Sequence, residues 1–184
     1  MLETVRVVLE VCHYVMKEIM FSVVPIRAEH AAGFREAVDA IARERIHLGQ
    51  TEARSLLWFN EFVAQNIKNN HAEFVALSGK EVIGWCDVLP HPLPGFGHGG
   101  TLGMGVLESW RGKGCGNALL AATLERAVAN GITRVELEVY ARNAAAIALY
   151  RKHGFVEEGV KRNARFLDGR HDDVVMMALL VGMD

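Results

Sequence analysis

Residues 106–120, "VLESWRGKGCGNALL", carry the chain from an apolar strand-like run into an apolar helix-like run through Gly112, Gly114 and Gly116. One or two glycines suffice to turn a chain; three at alternate positions clear the backbone of side chains where a helix begins. The first turn of that helix has backbone N–H groups with no intrahelical partner, and Arg111 and Lys113 add positive charge beside them. Such a junction suits a bound phosphate or pyrophosphate, and it commits the chain to an architecture in which strand feeds directly into helix.

Two common phosphate loops fail on spacing. A nucleoside-triphosphate loop needs GxxxxGK followed by Ser or Thr, but Gly112-Lys113 is followed by Gly114 and no glycine stands five residues before Gly112. A dinucleotide fingerprint needs GxGxxG, whereas Gly112, Gly114 and Gly116 give GxGxG with Asn117 in the third position. Glu136 and Glu138 stand about where a ribose-binding acid is expected, yet the chain has too few strand–helix–strand units for that fold. From the loop alone, a turn that merely lets strand and helix pack closely stays open.

The rest of the chain supplies the setting. "SVVPIR" (22–27) reads as a strand, and Phe34, Val38 and Ile41 recur at helical spacing between Glu29 and Arg45. A second helix is expected around 54–68, with Leu56, Phe59, Val63 and Ile67 on one stripe. "AEFVALSGKEVIGWCDVL" reads as a hairpin through Ser78-Gly79-Lys80, and the proline- and glycine-rich "PHPLPGFGHGG" as a loop. After a strand at 101–107, the helix "CGNALLAATLERAVAN" sets Leu120, Leu124 and Ala127 on one face, with Gly131 as its C-terminal cap. "TRVELEVY" alternates, with Val135, Leu137 and Val139 on one side. Asn143 caps the helix "AAAIALYRKH", Gly154 closes it, and two last strands meet at Asp168-Gly169. The fold expected is α/β (α+β): one domain over 22–184, with a mixed central sheet of six to seven strands and helices on both faces. Residues 1–21 are expected to form a helical extension, with Met20 an alternative start.

Composition narrows the partners. With 184 residues, 51% of them apolar, one sizeable core is affordable in a single domain. Twenty Lys and Arg against 22 Asp and Glu leave a net charge of −2, so no global field draws the chain to nucleic acid or an anionic membrane. Cys12, Cys86 and Cys115 form no CxxC pair, which argues against a disulfide framework and favours a reducing cytoplasm. The opening residues carry Glu3, Arg6, Glu10, Lys17 and Glu18, too many charges for a signal peptide or membrane span. Cys86, His91 and His98 match no common metal-ligand spacing, and no metal is expected.

Arg111-x-x-Gly114-x-Gly116 after a strand resembles the coenzyme A pyrophosphate loop of the GNAT superfamily of N-acetyltransferases. "LEVYARNAAAIALYRKHGF" (137–155) is similar to that superfamily's second signature, and "LDGRHDDVVMM" to the phosphinothricin-type and ribosomal-protein-type branch. The resemblance, over about Ser22 to Leu180, implies a splayed central strand pair and acetyl-CoA as co-substrate. The thioester would lie beside the backbone of Met104, Gly105 and Val106. Arg111, Gly112, Lys113, Gly114, Cys115 and Gly116, with Asn117 beside them, would hold the pyrophosphate. Asn143 would bond the pantetheine arm, and Tyr150, two helical turns on, would protonate the departing thiolate as general acid. The reaction implied is direct acetyl transfer to a primary amine, of a small molecule or a protein N-terminus. The alternative is a non-catalytic acyl-CoA-binding or sensing module.

Glu108, Asp87 and His98 are the candidate bases on this reading, none of them favoured. Cys115, at a helix start, reads as filler of a packed turn rather than a nucleophile. The acceptor pocket is expected from the first two helices, the "PHPLPGFGHGG" loop and the final hairpin, with Arg45, Trp58, Glu61 and Asp172 as lining candidates. Val174 to Val181, an apolar terminal strand, is suited to pairing or packing across a homodimer.

Overall fold

The computed structural model describes residues 21–182; the expected extension over 1–21, with Cys12 and Met20, lies outside the described residues apart from Phe21. Strand β1 (Ser22–Pro25) leads into helices α1 (Ala31–Arg43) and α2 (Leu56–Lys68). The meander β2 (Ala72–Ser78), β3 (Glu81–Pro90) and β4 (Gly99–Val106) follows, and then α3 (Cys115–Ala129), β5 (Arg134–Tyr140) and α4 (Ala144–Lys152). The hairpin β6 (Val156–Leu167) and β7 (Arg170–Leu180) ends the chain. The sheet runs β1-β2-β3-β4-β5-β7-β6, every neighbouring pair antiparallel except the parallel β4–β5.

Alternation along the strands divides the core in two. Phe74, Ala76, Ile83, Cys86 and Val88 face α3 and α4, meeting Leu119, Leu120, Leu124, Ile147 and Tyr150. Val75, Val82 and Trp85 face the other way, onto Phe34, Val38 and Ile41 of α1 and Phe59 and Val63 of α2. The single domain, the mixed sheet and the helices on both faces follow the sequence reading.

Three local expectations shift. Helix α1 stops at Arg43 rather than Arg45, because Arg45 takes a left-handed φ of 62° and its N–H turns back to the carbonyl of Ala42 at 3.0 Å. On α2 the inward stripe is Phe59, Val63 and Asn66, whereas Leu56 and Ile67 are exposed; the buried position goes to Asn66 because its side chain has a buried partner in Glu73. The "PHPLPGFGHGG" stretch is partly strand: Pro90 closes β3, Gly99 opens β4, and a short 3-10 turn at Pro94–Phe96 lies between. Strand β7 is paired on both sides, by β5 and β6, so it has no free edge to lend to a second subunit.

What positions the site is an interruption in the ladder. Strands β4 and β5 pair only where Gly99 to Thr101 oppose Arg134 to Glu136. Beyond that, β4 stays with β3 as far as Val106 opposite Gly84, and β5 stays with β7 as far as Tyr140 opposite Val174. The two strands part, leaving facing backbone edges without ladder partners.

Close backbone approach beside this gap depends on Gly84, where an added Cβ would stand 2.8 Å from the Gly105 carbonyl oxygen and 3.2 Å from Leu119. Gly84→Ala is therefore expected to cost about 1–3 kcal/mol, the usual penalty of overpacking, measured by urea unfolding.

Candidate active site

The loop from Leu107 to Gly114 closes one end of the gap. After a 3-10 turn at Glu108–Trp110, Gly112 and Gly114 take φ values of 72° and 83°, which side chains disfavour, and nothing stands within 4 Å of a Cβ at either. Gly114 is the N-cap of α3 and offers no side-chain cap; the first intrahelical bond runs from the Ala118 N–H to its carbonyl at 3.1 Å. The N–H groups of Cys115, Gly116 and Asn117 therefore have no helical acceptor. A Cβ on Gly116 would meet Leu149 at 3.3 Å and Met104 at 3.5 Å, so its absence lets α3 lie close to β4 and α4.

Of the two cations in the loop, one is already engaged. Arg111 donates from Nε to the Val106 carbonyl at 2.9 Å, and its two Nη atoms bond both carboxylate oxygens of Glu44 at 2.8 and 2.7 Å. Its charge is thus neutralised by Glu44, which leaves the backbone amides and Lys113 to meet an anion. Lys113 stands over the Trp110 ring, 5.3 Å from its centroid. Asn117 turns away from the loop: its Oδ1 accepts from Lys152 Nζ at 2.8 Å and lies 3.2 Å from His153 Nε2, tying α3 to α4.

On the far side of the gap, Asn143 caps α4, accepting from the Ala146 N–H at 3.2 Å. Its Nδ2 turns the other way, towards the strap over residues 44–49. Tyr150 is buried in the α3/α4 core beside Phe155, and burial, with the neighbouring Cys86 thiol, pushes its phenol up from the ordinary value. It holds its proton throughout the neutral range.

Residues 44–49 form a strap across the mouth of the gap. Glu44 reaches Arg111 after β4, and His47 Nδ1 lies 3.4 Å from Asn143 Nδ2 after β5. Arg45 makes a bidentate pair with Asp168 at the β6–β7 turn, 2.8 and 2.6 Å, and its carbonyl accepts from Arg165 at 2.8 Å. These contacts hold Arg45 in its left-handed conformation in place of the glycine that helix ends favour. Nothing in the residue pattern of 44–55 signalled them.

The other candidates divide. Asp172 is buried and bound to Arg165 at 2.9 Å and Arg142 at 3.1 Å, so it braces the hairpin. Trp58 stacks on Phe62, 4.9 Å between centroids, and Glu61 is exposed on α2. His98 and Glu108 are exposed. Cys115 is buried, and burial pushes its thiol up to about 11, which suits filler and not a nucleophile. Among the described residues no cluster of His, Cys, Asp and Glu is arranged to hold a metal, and no helix is long and apolar enough to cross a membrane.

The acetyltransferase (GNAT) family pattern matches residues 35–155, about two thirds of the chain. The chain belongs to the GNAT acetyltransferase family. Relatives include the [ribosomal protein bS18]-alanine N-acetyltransferase of Escherichia coli, 38% identical over 78 residues, which are 42% of this chain and 53% of the relative. An L-amino acid N-acetyltransferase of Escherichia coli is 29% identical over 107 residues, 58% of this chain and 66% of that one. The chain thus spans about half the length of the first of these relatives. Among solved structures, a putative acetyltransferase of Salmonella typhimurium with its cofactor acetyl-CoA superposes with a TM-score of 0.84 at 17% identity, covering 90% of this chain and 96% of that one. A phosphinothricin acetyltransferase of Sinorhizobium meliloti in complex with acetyl-CoA gives 0.82 at 21% identity, covering 89% of each. At these identities the superpositions speak for the fold.

A buried acidic pair lies on the α1/α2 face of this GNAT domain, where Glu73 and Asp87 are direct partners across β2 and β3. Asn66 Nδ2 donates to Glu73 Oε2 at 2.7 Å, and Oε1 has no partner among the described residues. Burial pushes Glu73 up to about 7, and burial plus the Glu73 charge pushes Asp87 well above its ordinary value. Asp87 is buried on the sheet face packed against α1 and α2, in the cluster with Asn66 and Glu73.

Because the folded chain keeps a proton on Glu73 that the unfolded chain releases, stability falls as pH rises from 4.5 towards about 7 and then levels off. Glu73→Gln removes this loss: urea unfolding is expected to find it about 1–3 kcal/mol more stable than the wild type near pH 8, and little different near pH 4.5.

Proposed function

We propose that this GNAT domain transfers the acetyl group of acetyl-CoA to a primary amine by direct attack. The observation that carries the reading is the gap between β4 and β5, closed at one end by bare amides at the start of α3. An extended pantetheine arm, with its own amides, completes the broken ladder as an added strand would. Beside it run Met104, Gly105 and Val106, whose backbone steadies the thioester and the oxyanion formed from it. The amides from Gly112 to Gly116, with Lys113, take the pyrophosphate, the Arg111 N–H being spent on the Glu108 carbonyl at 3.2 Å. Asn143 contributes its Nδ2, since the cap bond to Oδ1 turns the donor end of the amide towards the strap.

Tyr150 serves as the acid. Its buried phenol is protonated at every pH at which an amine can attack, so it is always able to donate to the thiolate released. The acceptor is an α-amine, of a free amino acid or a protein N-terminus; support comes from the two relatives, whose names specify an alanine of ribosomal protein bS18 and L-amino acids. The free thiols of Cys86 and Cys115 accord with a reducing cytoplasm. A binding or sensing module without chemistry would use the same loop and gap, and turnover tells the two readings apart.

Coenzyme A release with L-amino acids and with an alanine-starting peptide tests the reading. Tyr150→Phe is expected to lower kcat about 10²-fold while binding acetyl-CoA as the wild type does. Unchanged turnover in that variant would remove the acid role, and no release with any amine from the wild type would favour the binding module.

A further inference from the structure

We propose that His47 is the base that takes the proton from the attacking amine, an assignment that rests on the acetyltransfer reading above. His47 belongs to the strap that joins the ends of the parted strands, with Arg111 on one side and Asn143 on the other. The acetyl group lies in the gap beneath that strap on the proposed function, so an amine approaching it passes the imidazole.

The hydrogen bonds decide which ring nitrogen is free. The Ala146 N–H fixes Asn143 Oδ1 as an acceptor, so Nδ2, the donor end of that amide, faces His47 at 3.4 Å. Nδ1 of His47 must then carry the lone pair, and the ring proton sits on Nε2, 3.3 Å from Glu44 Oε2. Glu44 is itself held by both Nη atoms of Arg111. A carboxylate thus lies on the Nε2 side of the ring while the basic nitrogen points to the α4 side of the gap, an arrangement suited to a general base. At 3.4 Å the Asn143 contact is long, and the lone pair is readily surrendered to a better donor.

The charged groups facing His47 are Glu44 on its own segment and Arg111 and Glu108 from the loop after β4. Burial and the Arg111 charge outweigh the two carboxylates and hold its pKa below 6.5, so the imidazole is neutral and basic at physiological pH. Other candidates lack this poise. Asp87 is buried beside Glu73, Glu138 is paired with Lys161, and His98 and Glu108 are exposed, with no side-chain hydrogen bond across the gap among the described residues.

The step balances without a further reactant. The amine nitrogen bonds to the thioester carbonyl carbon, its extra proton passes to His47 Nδ1, and the C–S electron pair leaves on sulfur, which takes the Tyr150 proton. Solvent returns His47 and Tyr150 to their starting states.

The test follows coenzyme A release from acetyl-CoA with an alanine-starting peptide, from about pH 5.5 to 9. Below the lowered pKa of His47, kcat/KM of the wild type should fall with the square of the proton concentration, one proton on the α-amine (pKa ~8) and one on His47; above it the fall is first order. In His47→Gln the fall should be first order, kcat near neutral pH about 10²-fold lower and the KM for acetyl-CoA unchanged. His47→Ala should regain turnover with added imidazole. A wild-type profile that stays first order below the pKa of His47, read independently by NMR titration of the imidazole, would overturn the assignment whatever the variants do. So would a variant that keeps its kcat and raises only the acetyl-CoA KM, since that is the behaviour of a clasp. A wild type that acetylates no amine would instead remove the acetyltransfer reading, and the base with it.

Discussion

The parting of β4 from β5 is the constraint from which the rest of the site follows. Each strand keeps one neighbour, β3 or β7, and loses the other after Thr101 and Glu136. Backbone groups on the inner edges then lack ladder partners, which a folded protein tolerates only where something else can pair with them. Arg111 supplies one partner from the chain itself, donating to the Val106 carbonyl at the end of β4. The remainder face an opening suited to an extended, amide-bearing ligand.

Both ends of that opening are built from local signals. Gly112 and Gly114 adopt positive φ, and the glycine at 116 lets α3 approach β4 and α4. Asn143 caps α4 at the opposite edge. The chain's small net charge is no obstacle to binding an anion, because the field that matters is that of a few N–H groups in the first turn of a helix and of Lys113 just before its cap. Arg111, which the motif offers as a second cation, is instead the link between loop and strap through Glu44.

Features written in short stretches were therefore legible in the sequence. The alternation of β5, the Asp168-Gly169 turn, the face of α3 and the Asn143 cap of α4 are properties of neighbouring residues. The strap was not. Glu44, Arg45 and His47 meet partners 67, 123 and 96 residues away, and no local pattern encodes such distances. Arg45 also ends α1 without the glycine that marks a helix stop. The Asn66–Glu73–Asp87 cluster was equally hidden, since its polar residues occupy positions on α2, β2 and β3 where periodicity expects apolar ones. The same cause displaced the expected stripe of α2, with Asn66 buried and Ile67 turned outward.

The account stands on the gap and the glycine loop holding acetyl-CoA together, and ligand-dependent unfolding measures that directly. Acetyl-CoA at a hundred times its dissociation constant should add about 2.7 kcal/mol to the stability of the protein, with no comparable effect of NAD or ATP. No stabilisation by acetyl-CoA, or an equal one by NAD, would contradict it.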